Sequence, residues 1–382
     1  MDSDFASQVR KTEWDPNWVE LIGEKAPLAA RQGFAGLIKF LRDNTNALED
    51  VGRYIETISM YTAQNLRSKK PLPEALLFIS VAVITLAEEA SVLVVECLDS
   101  IKRLCTSKQP NLRVNAYHCL GAVAFAVLEE DQAFDSLDLL AEHAFGSKGF
   151  QATDMAVGRK AHPGYIMACL DSISLIVTSL RPSLATKFAD SKAASILKYL
   201  EHGDVGVRIH TGQLLGILVQ STKSSGLKER KPMMLELIDE LAEGSAKSLS
   251  KDDKKVQRAT FRDLAATLTG NGPVQVKTLT VVKHMGVDGE GHQVANTVAA
   301  MKLELRTWAA IMRYDTISKL LGEGLLSHVH TQESPVHAML DVDRCNIAGT
   351  AGESKASRLS EVERGRGLKA DVRAAAMDGT LL

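Results

Sequence analysis

Apolar residues recur along this chain with the spacing of helices rather than of strands. One stripe at i, i+3, i+4 and i+7 is made by Ala193, Ile196, Leu197 and Leu200, and such a stripe lies on one face of a helix. Gly203 then supplies a stop for that helix, and Asp204 is a residue type that caps the next one. The pattern predicts successive helices joined by short turns.

Other segments are apolar enough to be buried helices. Residues 73–86 and 91–104 predict a pair of helices, and residues 163–180 predict another. The longest apolar run is shorter than the roughly 20 residues that a bilayer-spanning helix needs, so we expect it in a protein core. The glycine-punctuated residues 145–163 predict a loop, and another helix is expected from residue 232 to about residue 246.

Two segments share one pattern. Residues 112–124 and residues 207–219 both read apolar-Arg-apolar, then a small residue, then apolar-Leu-Gly-apolar. They lie about two periods apart for a repeat of roughly 40–47 residues. The pattern resembles the second helix of a HEAT repeat, whose small residue and glycine let neighbouring helices approach closely. We therefore predict an all-α fold, an armadillo/HEAT-like α-solenoid.

The arginines of this pattern, Arg113 and Arg208, stand near the starts of their helices, where the helix dipole does not favour a cation. We expect each to pair with a carboxylate or a carbonyl of a neighbouring repeat. Their predicted role is structural.

The pattern changes after residue 247. Alternation over residues 274–282 predicts a strand, glycines at 286, 289 and 291 predict a turn, and residues 301–305 predict the returning strand. Helices resume near Trp308. The predicted divisions of the chain are an extension (residues 1–23), the repeats (24–247), a small C-terminal module with a short β-hairpin (248–345), and a flexible or partly helical tail (346–382).

Composition agrees with helices that pack through aliphatic side chains, since 45% of residues are hydrophobic but only 5% are aromatic. The formal net charge of -2 excludes a polyelectrolyte, so any basic surface must be local. The cysteines are odd in number and lack C-x-x-C spacing, which favours free, buried thiols: Cys97, Cys105, Cys119, Cys169 and Cys345. The N-terminal residues lack the pattern of a secretory signal.

Catalytic motifs are missing from the sequence. There is no P-loop, no H-E-x-x-H, no G-x-S-x-G and no cysteine pair with zinc spacing. His328 and His330 could share a metal only on a strand, and His337 is the one further candidate ligand. We expect no enzyme, no cofactor, no metal, no small-molecule substrate and no membrane contact.

One basic segment remains as a candidate binding site. Five cations stand against Asp252 and Asp253: Lys251, Lys254, Lys255, Arg258 and Arg262. Lys254, Arg258 and Arg262 are four residues apart and share a helix face. A solvated helix face explains this pattern as well as an acidic or phosphate-bearing partner does. Val256 and Phe261 are the predicted packing positions.

This segment resembles a known family. Residues 250–263, SKDDKKVQRATFRD, are similar to the signature of the interferon-related developmental regulators. Residues 305–308 and 321–330 resemble two further elements of that family in the same order. The resemblance implies a helical repeat domain with a small C-terminal domain. It also implies transcriptional co-regulation in the nucleus, or binding to inactive ribosomes through the C-terminal segment, and in neither case catalysis.

The tail departs from the family pattern, because residues 351–382 are nearly balanced in charge instead of strongly basic. Little counterion release is then expected from the tail, which weakens the case for ribosome binding more than for a protein scaffold. The remaining candidate contacts for a ribosome or RNA are Arg306, Arg364, Arg366, Lys369 and Arg373. We expect a non-enzymatic scaffold in the nucleus, the cytoplasm or both, and not a secreted protein. The alternative is an armadillo-type adaptor for cargo or peptides.

Overall fold

The computed structural model describes residues 12–145, 163–243, 250–331 and 333–340, apart from residues 274, 283–285, 288–292 and 295–296. The loop predicted at residues 145–163 therefore lies almost wholly outside the described residues, as do Cys345 and the tail.

Helices make up most of the described chain. In order they are α1 (Asn17–Gly23), α2 (Pro27–Asp43), α3 (Leu48–Val51), α4 (Ile55–Arg67), α5 (Pro73–Leu86), α6 (Ser91–Leu104), α7 (Pro110–Ala126), α8 (Glu130–Phe145), α9 (Pro163–Val177), α10 (Pro182–Leu200), α11 (Val205–Ser221), α12 (Ser225–Glu229), α13 (Lys231–Glu243), α14 (Lys251–Leu268), α15 (Trp308–Leu321), α16 (Leu325–His330) and α17 (Pro335–Leu340). The stripe seen in the sequence lies on α10, and the Asp204 carboxylate accepts a hydrogen bond from the Val207 amide at 3.1 Å, so that it caps α11 as predicted.

The longer helices stack in two layers. Helices α2, α5, α7, α9, α11 and α14 pack side by side in this order and form the inner layer. Each is preceded by a partner that packs across it, and these partners form the outer layer: α1, α4, α6, α8, α10 and α13. The repeating unit is thus a helical hairpin, and the predicted all-α repeat architecture is confirmed.

The repeated sequence pattern marks two inner helices, α7 and α11, with α9 between them. Its glycines lie where another helix comes close. A Cβ on Gly121 would lie 2.8 Å from the Cβ of Ser172 on α9, and one on Gly216 would lie 2.6 Å from the indole of Trp308. The predicted close approach of adjacent repeat helices is confirmed at Gly121, whereas the space at Gly216 is filled by the side chain of Trp308.

Helices α5 and α6 do not form one hairpin, contrary to the prediction. Helix α5 belongs to the inner layer and packs on α2 and α7, whereas α6 packs on α4 and begins the next hairpin. The chain turns between them at Ala87, which has a positive φ of 49°. The segment Pro73–Leu104 is long and apolar enough to cross a membrane by length and composition, yet 67% of its most apolar window is buried inside the protein.

The predicted β-hairpin is present. Its long strands β1 (Gln275–Val282) and β4 (Thr297–Leu305) pair with each other, and the short strands β2 (Gly286–Val287) and β3 (Gln293–Val294) pair antiparallel. Residues Lys277–Leu303 belong to the second of the two compact units into which the chain divides. Gly289 and Gly291 of the predicted turn lie outside the described residues. The domain boundaries drawn from the sequence remain a prediction.

The last three helices return to the start of the chain and cover the free side of the inner layer. Helix α15 packs on α5, α9 and α11, α17 packs on α5, and the turn Gly322–Gly324 contacts α2. This cover explains why α5 is apolar all round, with eleven of its fourteen residues buried. A helix with neighbours on every side needs no polar face.

Polar contacts fix this return. Arg42 on α2 donates from Nε to the Leu320 carbonyl at 2.6 Å. His328 is fully buried, and its Nε2 donates to the Leu41 carbonyl at 3.1 Å, which leaves Nδ1 to accept from the Ser334 hydroxyl at 3.1 Å. These bonds hold the two ends of the helical unit together.

The described cysteines are free and buried, as predicted: Cys97, Cys105, Cys119 and Cys169. Burial raises the pKa of Cys97 to about 12, although the nearby Arg67 charge lowers it. Thiols held in the neutral form are poor nucleophiles and poor metal ligands.

We expect Gly121→Val to destabilise the protein by about 1–3 kcal/mol, because the added side chain overlaps Ser172 in a packed interface. Gly203→Ala is the matched control, since nothing lies within 4 Å of a Cβ at that position, and should change the free energy of unfolding by less than about 0.5 kcal/mol. Urea denaturation measures both, and equal effects would contradict the close approach.

We expect acid to weaken the return of α16 onto α2. Burial lowers the pKa of His328 below its ordinary value, against hydrogen bonds to the Leu41 and Arg42 carbonyls and the charge of Asp43, which raise it. The unfolded chain therefore takes up the proton more readily, and stability is retained above about pH 6.5 and lost as the pH falls below it. Denaturation of the native chain and of His328→Gln at pH 7 and pH 5 measures this effect. Between the two pH values the free energy of unfolding should fall less in His328→Gln than in the native chain, by at most about 1.4 kcal/mol per pH unit.

Candidate partner-binding surface

Helix α14 carries the basic segment, and residues at its own N-terminus stabilise the start of the helix. The Ser250 hydroxyl oxygen caps the helix by accepting from the Asp253 amide at 3.1 Å. Asp252 and Asp253 stand in the first turn, where negative charge is favoured by the helix dipole. The two carboxylates therefore stabilise the helix start, and neither forms an ion pair with a cation of the segment in the described chain.

The buried side of α14 holds it against α11 and α13. Phe261 and Leu264 are fully buried, and Gln257 is only 1% exposed. The Gln257 side-chain oxygen accepts from both Nε and Nη2 of Arg208, at 3.2 and 2.7 Å, and its Nε2 donates to the Leu241 carbonyl at 3.1 Å. This amide satisfies a buried guanidinium and orients the opposite face of the helix toward solvent.

The five predicted cations converge on that opposite face. They line one shallow depression of about 470 Å³ together with Ala259: Lys251, Lys254, Lys255, Arg258 and Arg262. Lys251, Lys255 and Arg262 are exposed, and the other two are half-buried. Arg258 donates to the Glu243 carbonyl at 3.0 Å. Salt bridges in the described chain involve none of the five, so their charge is not neutralised by a neighbour.

The position of α14 explains part of this polarity. It is the last helix of the inner layer, and a terminal repeat needs a polar outer face to remain soluble. Mixed charges would meet that need equally well. A depression whose lining contains five cations and no carboxylate goes beyond it and creates a local positive potential on a chain of nearly zero net charge.

One expectation about this surface is not met, and the role of Arg306 as a partner contact stays a prediction. Val256, predicted to pack, is 52% exposed, because the buried stripe follows Gln257, Phe261 and Leu264 instead. Arg306 does not line the depression, and its guanidinium lies 3.0 Å from the Glu304 carboxylate. The tail candidates lie outside the described residues: Arg364, Arg366, Lys369 and Arg373.

The repeat arginines have the structural role that the sequence predicted. Arg208 also donates from Nη1 to the His202 and Gly203 carbonyls, at 2.6 and 3.2 Å. Arg113 donates to the Tyr117 hydroxyl at 3.0 Å, and its guanidinium lies 4.9 Å from the ring centroid of Tyr165. Aromatic partners for Arg113 were not predicted.

A second polar site was missed by sequence reasoning. Asp171 on α9 and His210 on α11 form a hydrogen-bonded pair at the edge of a crevice of about 170 Å³ under α15. Burial alone would raise the pKa of Asp171, but the hydrogen bond and charge of His210 outweigh it and hold that pKa below its usual value. Lys319 of α15 and Gln213 of α11 also line the crevice.

This crevice lacks the other parts of a catalytic site. Its described lining contains no serine or cysteine, and the hydroxyl of its one threonine, Thr316, donates to the Met312 sulfur at 3.7 Å. Groups of three or more metal-binding side chains do not occur in the described part of the chain. The nitrogens of His328 are both engaged in hydrogen bonds with protein groups. The pair of Asp171 and His210 therefore resembles a polar contact between packed helices and not a catalytic site.

Comparison with known proteins identifies the sequence family. The family model described as interferon-related developmental regulator (IFRD) matches residues 19–269. The match includes the repeats and the basic segment, and it ends before the second pair of motifs at residues 305–308 and 321–330. No curated protein matches the chain.

Solved structures with a similar arrangement are armadillo-like solenoids. The designed armadillo repeat protein YIII(Dq)4CqI has a TM-score of 0.44 and 11% identity, over 65% of this chain and 99% of its own. A designed armadillo repeat protein in complex with the peptide (KR)4 has a TM-score of 0.43 and 12% identity, over 64% of this chain and 98% of its own. A Kap121p mutant has a TM-score of 0.40 and 10% identity, over 71% of this chain and 30% of its own.

We expect Gln257→Leu to destabilise the protein by about 1–3 kcal/mol, since it leaves Nε and Nη2 of the buried Arg208 without an acceptor. Lys255→Ala on the exposed face should change stability by less than about 0.5 kcal/mol. Thermal unfolding of the two variants separates the face of α14 that stabilises the fold from the face that is free to bind. A Lys255→Ala loss as large as that of Gln257→Leu would contradict this division.

Proposed function

The chain belongs to the interferon-related developmental regulator family, and from that membership we propose a non-enzymatic scaffold that binds protein or ribonucleoprotein partners. The basic face of α14 makes the contact with a ribonucleoprotein. The protein acts in the nucleus, the cytoplasm or both, as a regulator of transcription or translation. Family and fold are both of the repeat-scaffold type.

The observation that supports this function most directly is the set of cations on α14. They lie on one exposed face, share one depression and have no carboxylate partner in the described chain. Binding of a phosphate or carboxylate there would displace counterions without breaking an internal ion pair. Binding of the partner would therefore cost the fold no ion pair.

Among possible anions, the lining favours phosphates of structured RNA. It contains no aromatic side chain on which an unpaired base could stack. Double-stranded RNA is recognised through its shape and its phosphates, which a row of cations on one helix can contact. An acidic protein segment, of the kind that transcriptional co-regulation would supply, is the competing partner for the same face.

The alternative of an armadillo-type adaptor for an extended peptide has less support. An extended peptide needs an open inner face, and α15 and α17 pack on that face over α5, α9 and α11. Any peptide binding at the inner layer must therefore begin with a change in α15.

We expect the variant Lys251→Glu, Lys255→Glu, Arg262→Glu to bind a structured RNA hairpin at least about tenfold more weakly than the native chain. For the native chain, the logarithm of the association constant should fall with the logarithm of salt concentration with a slope of about −0.9 per phosphate contacted. Fluorescence anisotropy at several salt concentrations measures both. Sedimentation with ribosomal particles tests the same variant on a natural assembly.

The matched control carries the same charge change elsewhere: Lys69→Glu, Lys70→Glu and Lys198→Glu, at three exposed lysines outside α14. It should bind as the native chain does. An equal loss in the control would show a non-specific charge effect and overturn the site. If the α14 variant retains RNA binding but loses binding to an acidic peptide, the basic face binds protein partners instead. If the native chain co-migrates with neither ribosomal nor chromatin complexes, the proposed function is overturned.

A further inference from the structure

Helix α15 shows which kind of segment the surface of the inner layer binds. It is a helix of 14 residues that begins with Trp308 and lies on α9 and α11. Its buried side chains include Ile311 and Ile317. The occupant of this surface is therefore a helix that begins with a large aromatic side chain.

The seat for Trp308 is formed by the helices beneath it. The indole lies against Gly216, where a Cβ would come within 2.6 Å of the ring. The indole Nε1 donates to the Thr267 hydroxyl at 2.9 Å, and the Trp308 amide donates to the Gln220 side-chain oxygen at 2.8 Å. A notch without a side chain, flanked by a hydroxyl and an amide acceptor, is specific for a helix that starts with tryptophan.

The contact between α15 and the inner layer is less complete than a protein core. A crevice of about 170 Å³ remains beside the helix, lined in part by Asp171, His210 and Lys319. Protein interiors contain few voids larger than a water molecule, whereas polar and partly hydrated rims are typical of interfaces between separate molecules. Helix α15 is thus packed like a bound partner.

We propose that the surface of α9 and α11 is a helix-binding groove, closed in the same chain by α15, which accepts a helix with a leading tryptophan from a partner protein. A helix laid into a groove is a common mode of recognition. The tethered α15 competes at high effective concentration. Helices α1 to α14 contact one another in continuous layers without α15, and a partner helix that replaces α15 covers the same apolar surface.

The test uses the full chain and a labelled peptide of residues 306–324. The native chain should bind this peptide weakly, because its own α15 fills the groove. Trp308→Ala in the full chain removes the anchor of the competitor but leaves the groove intact. We expect this variant to bind the peptide at least about tenfold more tightly than the native chain, by fluorescence anisotropy.

A second substitution shows where the peptide binds. In the Trp308→Ala chain, Gly216→Ala places a methyl group in the empty notch, and alanine also suits a helix better than glycine. The double variant should stay folded and lose the gained binding. A peptide with alanine at the tryptophan position should bind neither variant. Unchanged binding in the double variant would overturn the proposal.

A third variant displaces α15 from its C-terminal end, and it serves as the test if Trp308→Ala does not fold. A Cβ on Gly324 would lie 2.0 Å from the Arg42 carbonyl oxygen, so Gly324→Ala lifts the turn after α15 without touching the groove. This variant should also bind the peptide more tightly than the native chain. If neither folded opening variant does so, α15 is a permanent part of the core and the groove does not exist.

Discussion

Close side-by-side packing of the inner helices is the constraint on which the structure depends. Where Gly121 meets Ser172, the helix surfaces leave no room for even one added methyl group. Helices that pack so closely on both edges keep little surface for polar residues, and α5 is buried almost all round. A layer of this kind must be covered on both faces. The outer helices cover one face, and the C-terminal helices α15 to α17 cover the other.

This cover determines which surfaces remain for partners. A solenoid ordinarily presents its inner face as an extended binding surface, but here part of that face is occupied by α15. In the described chain α14 is the last helix of the inner layer, and it turns its cations to solvent. The same helix is held from behind by the bond between Gln257 and Arg208. The contacts that stabilise α14 and the cations proposed to bind a partner thus lie on opposite faces of the helix.

Local patterns in the sequence predicted the features that local physics controls. The cap at Asp204, the arginine and glycine of the repeated helix, the hairpin strands and the shared face of the α14 cations all depend on residues a few positions apart. The return of α16 to α2 does not, because His328 and Leu41 are 287 positions apart in sequence. The pair of Asp171 and His210 likewise joins two different repeats. Single polar residues in helical patterns give no sign of such partners. Val256 was wrongly predicted to be buried, because one helical step of 100° separates a buried position from an exposed one.

Thr267 connects the two candidate surfaces, since it lies on α14 and accepts the indole hydrogen bond of Trp308. Loss of α15 from the inner layer would break that bond at the C-terminal end of α14, whereas the cations occupy residues 251–262 in its N-terminal part. One hydrogen bond contributes a net of only about 1 kcal/mol, and the Gln257, Phe261 and Leu264 contacts that orient the basic face do not involve α15. Coupling between the surfaces is therefore weak. Two weakly coupled surfaces can bind two partners at once, which the proposed scaffold function requires.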